Sequence, residues 1–178
     1  GISHDQLFDE HLQFAERHTS SITRIVDKFE NDPIEDRRLR IGYVSSDLRD
    51  HPVGDHLYPL IANHDHQAFE IFCYADVAHP DEMTEWLQSS VEHWRTIIGM
   101  SDEDVARMVR TDKIDVLVIL AGHFDRNRPL VSAYRAAPVQ VNSLDVATSG
   151  LQEMDYFLTG DYLNPPETEQ KFTEEIYR

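Results

Sequence analysis

The stretch LRIGYVSSDLRDHPVG, residues 39–54, decides the fold of this chain. An apolar run from Leu39 to Val44 gives way to the small polar residues 45–47, and His51 then stands directly before another apolar-periodic segment. This order predicts a strand, a turn with reactive side chains, and the start of a helix. Because ligands of open α/β sheets bind at the carboxyl ends of strands, His51 is predicted to lie where chemistry is usually done.

The same strand–helix unit recurs along the rest of the chain. The predicted strands are 39–44, 69–75, 94–98, 114–120, 139–142 and 155–159, and the predicted helices are 54–63, 81–91, 101–111 and 129–136. Segment 69–75 is almost wholly apolar, which is typical of a strand buried on both faces. This alternation predicts an α/β fold, a Rossmann-like and mostly parallel sheet with right-handed crossovers and helices on both faces. An acidic tail follows Pro165 and Pro166.

The N-terminal residues have a helical rather than a strand pattern. Apolar residues at helical spacing predict a helix over 1–30, with the polar cluster 18–21 as the place where it would break in two. Ser3 and Gln6 have the spacing of a capping box. We expect residues 1–36 to form an N-terminal helical segment with a linker, and residues 37–178 to form the Rossmann-like lobe.

Three histidines, His4, His11 and His18, recur every seven residues in the N-terminal segment. Seven residues of helix rise about 10.5 Å, which is too far for neighbouring histidines to share one metal ion. We therefore interpret them as a stripe that faces solvent or a partner.

The chain carries 33 acidic and 16 basic residues and a net charge of −17. This charge argues against nucleic acid or an anionic membrane as a partner, since both require a basic surface. The single cysteine, Cys73, lies in an apolar run, which predicts a buried thiol that acts as a small hydrophobe. One cysteine, no signal-peptide pattern and no apolar stretch of membrane-spanning length favour a cytoplasmic protein.

Several familiar binding motifs are absent from the sequence. Gly42 lies in the first strand and is followed by YVSSDL, without the further glycines of GxGxxG, and there is no P-loop, CxxC, HExxH or GxSxG. His64 and His66 have the chemistry of metal ligands, but no third ligand has the right spacing, so no metal site is expected.

Three histidines and one loop are candidates for chemistry. His51 and His123 follow predicted strands, and His93 precedes one. A histidine at such an edge can accept a proton near neutral pH or donate to a sugar hydroxyl or phosphate, but it can equally cap a turn. The hydroxyls and N–H groups of loop 147–150 could bind an anion or a saccharide, and a plain turn is the alternative.

Several long motifs carry a family resemblance. They are LRIGYVSSDLRDHPVGDHL, FEIFCYADV, EHWRTI, GMSDEDVARMVRTDKIDVLVILAGH, APVQV and MDYFLTGDYLNPPE. In this order and spacing the chain resembles the catalytic region of the O-linked N-acetylglucosamine transferases and their SPINDLY-type relatives. The N-terminal helix also resembles the segment that joins tetratricopeptide repeats to that region.

The resemblance implies a GT-B glycosyltransferase, of which this chain looks like the first lobe only. Such enzymes move a sugar from a nucleotide donor to a Ser or Thr hydroxyl of a protein or peptide, with no cofactor or required metal. The implied donor is UDP-GlcNAc, bound mainly by a C-terminal lobe, so the single lobe is expected to be inactive alone. The implied partners are that lobe and the tetratricopeptide repeats of the parent chain. A SPINDLY-like O-fucosyltransferase lobe is the alternative within enzymes.

The resemblance also implies site residues. His51 matches the histidine of the family's HP motif, which lines the cleft, and His93 matches the histidine before the third strand. These two are the predicted catalytic residues. The predicted substrate-binding residues match an AGH turn and the end of a PGTSG-like loop, and they are Gly122, His123, Thr148, Ser149 and Gly150.

Residues 142–150 depart from the family pattern. They read NSLDVATSG where the family has xWLGYPGTSG, and Phe124 replaces a small or hydroxylated residue. Asp145 adds a negative charge near a cleft meant for a diphosphate, and Coulomb repulsion is expected to weaken donor binding. A degenerate, non-catalytic lobe that serves as a binding or scaffolding module is therefore a rival hypothesis.

Overall fold

The computed structural model describes residues 1–25, 28–34 and 36–178. The strands are β1 (Leu39–Ser45), β2 (Phe69–Ala75), β3 (His93–Thr96), β4 (Val116–Leu120), β5 (Val139–Ser143), β6 (Tyr156–Leu158) and β7 (Glu175–Tyr177). The helices are α1 (His4–Thr19), α2 (Pro52–Ala62), α3 (Glu82–Ser89), α4 (Asp102–Thr111) and α5 (Leu130–Ala133).

The strands form one seven-stranded sheet in the order β3-β2-β1-β4-β5-β6-β7, and every neighbouring pair is parallel. The predicted α/β fold is confirmed. From β1 the chain first builds outward through β2 and β3, and it then returns to the other side of β1 with β4. The order therefore reverses between β1 and β4, and the carboxyl ends of these two strands flank the crevice where open α/β sheets bind ligands.

Apolar side chains on the two faces of the sheet pack into two cores, since successive residues of a strand point to opposite faces. Val44 and Leu117 join residues of α1, α4 and α5 in one core, whereas Ile41 and Tyr43 join residues of α2 and α3 in the other. Cys73 is buried in the second core, and burial raises the pKa of its thiol to about 12. The predictions of helices on both faces and of a buried thiol are confirmed.

The predicted N-terminal helix is too long. Its capping box is present, but α1 ends at Thr19, and the described residues that follow it have no helix before β1. The prediction was wrong here because Ile22 and Ile25 pack on the core from an irregular segment, and the Ile25 N–H donates to the Tyr134 carbonyl of the lobe. Val26, which belonged to the same prediction, lies outside the described residues.

The predicted C-terminal tail contains a strand. Residues 175–177 form β7, which pairs with β6 at the edge of the sheet. Three residues between charged neighbours carry too little apolar pattern to predict a strand, and only the partner strand identifies it. The division into 1–36 and 37–178 stays a prediction; α1 packs on α5. Within the described ranges, no helix is long and apolar enough to cross a membrane.

Candidate active site at the carboxyl edge of the sheet

The turn after β1 is held by one asparagine from the loop that follows β4. The Ser45 hydroxyl and the Ser46 N–H both donate to Asn127 Oδ1, at 2.7 and 2.9 Å. Asn127 Nδ2 donates in turn to Asp47 Oδ2 at 2.8 Å. Asn127 therefore ties together the two strand ends that flank the crevice. Sequence reasoning missed it, because a single asparagine in a polar loop carries no signal of this role.

His51 lies at this edge, as predicted, where it caps the N-terminus of α2. Its Nδ1 accepts a hydrogen bond from the Val53 N–H at 3.2 Å, and Pro52 occupies the first helical position. Proline fits there because it lacks an N–H and its fixed φ suits a helix. The imidazole side chain is 33% exposed, and its Nδ1 is 4.0 Å from Asp47 Oδ1. His51 thus combines a structural role with access to the crevice.

The His51 turn packs tightly against its own helix and against α3. A Cβ on Gly54 would lie 2.1 Å from the Arg49 carbonyl oxygen, so only glycine allows this approach. The Asp50 N–H donates to Asp81 Oδ2 at 2.7 Å, and Asp81 also caps α3 through the Thr84 N–H. These backbone hydrogen bonds hold the pKa of Asp81 below its ordinary value. The position of His51 is therefore fixed from two sides.

Gly122 and His123 form the turn after β4, next to Asp145. A Cβ on Gly122 would lie 2.3 Å from Asp145 Oδ2, and the same oxygen accepts from the His123 N–H at 3.3 Å. Asp145 is buried, and its Oδ1 also accepts from the Val146 N–H at 2.8 Å. The negative charge of Asp145 thus stands at this edge and is partly satisfied by the backbone amides of His123 and Val146.

Loop 147–150 is closed by groups of the same lobe. Thr148 and Ser149 are fully buried. Glu174 accepts from the Thr148 hydroxyl at 2.5 Å and from the Ser149 N–H at 2.7 Å. Gly150 has a φ of +74°, and a Cβ there would lie 2.4 Å from the His11 carbonyl oxygen. These groups have internal partners, so a ligand-binding role for the loop stays a prediction. Sequence reasoning missed Glu174, which it had assigned to the acidic tail.

His11 connects α1 to this loop and to His123. Its Nδ1 donates to the Thr148 carbonyl, and its ring lies 4.4 Å from the ring of His123. His123 Nε2 donates to the Ser149 carbonyl at 2.9 Å. Burial lowers the pKa of His123. The prediction of a stripe facing solvent or a partner was wrong for His11, because this side of α1 packs on the lobe itself; His4 and His18 are exposed.

His93 lies away from the other two histidines. It is opposite Phe72 in the middle of β2, stacks on that ring at 4.0 Å, and shares a 2.6 Å hydrogen bond with Glu70 Oε1. Burial alone would raise the pKa of Glu70, but hydrogen bonds from His93 and Arg40 hold it below its ordinary value. The structure does not bring His93 to the carboxyl edge beside His51 and His123, and its catalytic role stays a prediction.

An apolar groove of about 430 Å³ adjoins the edge on the α2 side. Its lining includes Leu57 and Leu60 of α2, Leu120 of β4, and Asp145 and Leu158 from the far half of the sheet. In the part of the chain that the structure describes, no three His, Cys, Asp or Glu residues are arranged to hold a metal ion. The edge therefore offers hydrogen-bonding groups, the carboxylates of Asp47 and Asp145, and an apolar wall.

Residues 5–177 match the glycosyl transferase family 41. The chain belongs to this family. The protein of Oryza sativa subsp. japonica named "Probable UDP-N-acetylglucosamine--peptide N-acetylglucosaminyltransferase SPINDLY" is 34% identical over 179 residues, which are 98% of this chain and 19% of that protein. The similarly named SEC protein of Arabidopsis thaliana is 33% identical over 144 residues, 79% of this chain and 14% of that protein.

A solved structure extends the likeness of this family 41 chain to three dimensions. A mutant of the Thermobaculum terrenum O-GlcNAc transferase matches with a TM-score of 0.91 and 37% identity, over 99% of this chain and 34% of that chain. The resemblance and the Rossmann-like lobe expected from the sequence are both confirmed. The chain spans about a fifth of the length of the rice SPINDLY protein and about a third of the bacterial transferase chain.

Proposed function

We propose that this chain is the N-terminal lobe of the catalytic region of a protein O-GlcNAc-transferase-like glycosyltransferase. The parent protein would transfer a sugar from a nucleotide donor, UDP-GlcNAc, to Ser or Thr hydroxyls of a protein or peptide. The observation that carries this proposal is the match to the bacterial O-GlcNAc transferase over 99% of the chain at 37% identity. The position of His51 at the sheet's carboxyl edge supports it, because open α/β sheets bind ligands there.

The side chains at the edge of this lobe support different roles for the N-terminal and C-terminal lobes of the parent protein. His51 offers an imidazole to the crevice, the buried carboxylates Asp47 and Asp145 stand at the same edge, and Arg49 is paired with Asp47. A C-terminal lobe of the parent chain would hold the nucleotide, and catalysis would come from positioning and from stabilising the leaving group. The lobe alone is then inactive. Tetratricopeptide repeats and a cytoplasmic location belong to the same proposal.

Transfer of labelled sugar to an acceptor peptide by the intact parent protein tests this function. We expect His51→Ala to lower kcat by about 10²-fold, the usual cost of one transition-state hydrogen bond. His4→Ala, which changes an exposed histidine on α1, is the matched control and should leave the rate unchanged. Undiminished transfer by His51→Ala would remove His51 from the mechanism. Running the assay with UDP-GlcNAc and with GDP-fucose separates the proposed donor from a SPINDLY-like fucosyl donor.

A non-catalytic binding or scaffolding module is the second candidate, and Asp145 is the observation that favours it. This buried carboxylate stands at the edge where a donor diphosphate would approach. If the parent transfers neither sugar but binds the acceptor peptide in calorimetry, the module is supported. If Asp145→Asn tightens nucleotide-sugar binding in an active parent, the enzyme is supported and the carboxylate only weakens its donor affinity.

A further inference from the structure

We infer that neutral His51 carries its proton on Nε2, and that it serves the transfer as a hydrogen-bond donor and not as a general base. Its ligand would be an oxygen of the nucleotide sugar, either of the phosphate or of a sugar hydroxyl. The part that concerns transfer rests on the proposed function, whereas the position of the proton is a property of this chain alone.

The hydrogen bond at the start of α2 determines the tautomer. The Val53 N–H can only donate, so the Nδ1 atom that it approaches at 3.2 Å must present a lone pair. In a neutral imidazole one nitrogen carries the proton and the other accepts. Because Nδ1 accepts, the proton of neutral His51 is on Nε2. This assignment follows from a backbone donor, whose hydrogen position is fixed by the peptide plane.

The opposite tautomer would lose this bond without gaining a comparable one. A proton on Nδ1 would face the Val53 N–H, and Val53 itself is buried. The alternative acceptor, Asp47 Oδ1, is 4.0 Å away, which is beyond hydrogen-bond distance. Asp47 already accepts from Arg49 and Asn127. If this N-capping hydrogen bond has ordinary strength, we expect the population of the Nε2–H tautomer to be about fivefold that of the Nδ1–H tautomer.

The free nitrogen of His51 is the one that can reach a ligand. Among the described residues Nε2 has no hydrogen-bond partner, and the side chain is 33% exposed. An N–H at this position can donate to a phosphate or sugar oxygen. It cannot take the proton of an acceptor hydroxyl, because the accepting lone pair of the ring is engaged at the helix terminus. The base for the hydroxyl must therefore be another group.

NMR of the ¹⁵N-labelled chain above neutral pH tests the tautomer directly. Long-range proton–nitrogen correlations distinguish a protonated from an unprotonated ring nitrogen, and the signals that vanish in His51→Asn identify His51. We expect protonated Nε2 for His51. His56, five positions along in the sequence, is an internal control, since its Nδ1 lies 2.7 Å from the Pro52 carbonyl and must carry the proton. Protonated Nδ1 in neutral His51 would overturn the inference.

The pH profile of the intact parent protein tests the role in transfer. His51→Asn keeps a side chain that caps helices well but has no Nε2 donor. We expect kcat of the variant to fall by about 10²-fold. We also expect the acidic side of the kcat–pH profile to have the same shape in the variant and in the wild type. An acid limb that is present in the wild type and absent in His51→Asn would show that His51 acts as a base. A parent without transfer activity would contradict the proposed function, and the NMR result would still decide the tautomer.

Discussion

Single residues from distant parts of the sequence assemble the carboxyl edge of the sheet. Asn127, from the loop after β4, accepts from two groups of the β1 turn and donates to a third. Asp145, from the loop after β5, receives the His123 N–H and leaves no room for a side chain at Gly122. Each of these residues acts on a neighbour that belongs to another strand. Which residue fits a position at this edge therefore depends on the group that it contacts from another part of the sequence.

Gly122 and Asp145 should show strong energetic coupling. We expect Gly122→Ala to lower the free energy of unfolding by about 1–3 kcal/mol, because its Cβ would overlap the Asp145 carboxylate. In Gly122→Ala/Asp145→Gly the overlapping oxygen is gone, so the double variant should be more stable than the sum of the two single effects predicts. Urea denaturation of the four proteins measures this coupling. Additive effects would contradict the close contact.

At the scale of elements, α1 and β7 close the 147–150 loop from two directions. His11 of α1 donates to the Thr148 carbonyl. Glu174, directly before β7, accepts from the Thr148 hydroxyl and the Ser149 N–H. The sheet edge at β6 and β7 is short, and these side-chain bonds add to the few backbone bonds that β7 makes. The loop therefore depends on both ends of the chain.

Glu174→Gln tests how far β7 depends on this carboxylate. The glutamine can accept through one oxygen only, so one buried donor of the loop loses its partner, at a cost of about 1–3 kcal/mol. We expect the Thr159 N–H, which donates to the Tyr177 carbonyl between β6 and β7, to exchange faster with deuterium than in the wild type. Glu175→Gln, at an exposed neighbouring position, is the control. Equal exchange in both variants would mean that β7 is held by its backbone alone.

At the scale of the whole molecule, His123 lies where three parts of the fold meet. Its ring contacts His11 and Phe14 of α1 at 4.4 and 4.7 Å, and its Nε2 donates to the Ser149 carbonyl. Burial lowers the pKa of this imidazole below its ordinary value of 6.5. The folded protein therefore favours the neutral form. Since the unfolded chain has no such preference, protonation links the packing of these parts to pH.

The sign of this linkage predicts a loss of stability in acid. Above pH 6.5 both states hold a neutral His123, and its packing contributes fully. As the pH falls below this value, the unfolded chain takes up a proton that the folded protein resists, so unfolding becomes easier. His123→Gln keeps an N–H donor but does not titrate. We expect the stability of the wild type relative to this variant to decrease between pH 7 and about pH 5 in urea denaturation. A difference independent of pH would contradict the prediction.

The elements that sequence reasoning found are those with strong local patterns. The buried strands β2 and β4 and the capped helices α2 and α4 follow from apolar periodicity and from capping residues. The segment after α1 and strand β7 were missed because their structure depends on non-local backbone partners, the Tyr134 carbonyl and β6. Among the residues of the candidate site, His51 was predicted from its position after β1. No local sequence pattern marks Asn127 or Glu174 as members of the site.

The sequence by itself determined the α/β class, the family and the position of His51 at a strand end. These follow from apolar periodicity, capping residues and long motifs, all of which depend on residues that are close together in the sequence. Only the tertiary structure decided the strand order beyond β1, the closure of loop 147–150 by Glu174 and His11, and the separation of His93 from the edge. Hydrogen bonds and contacts between distant residues set these features. They depend on how the strands and helices pack, which no short stretch of sequence specifies.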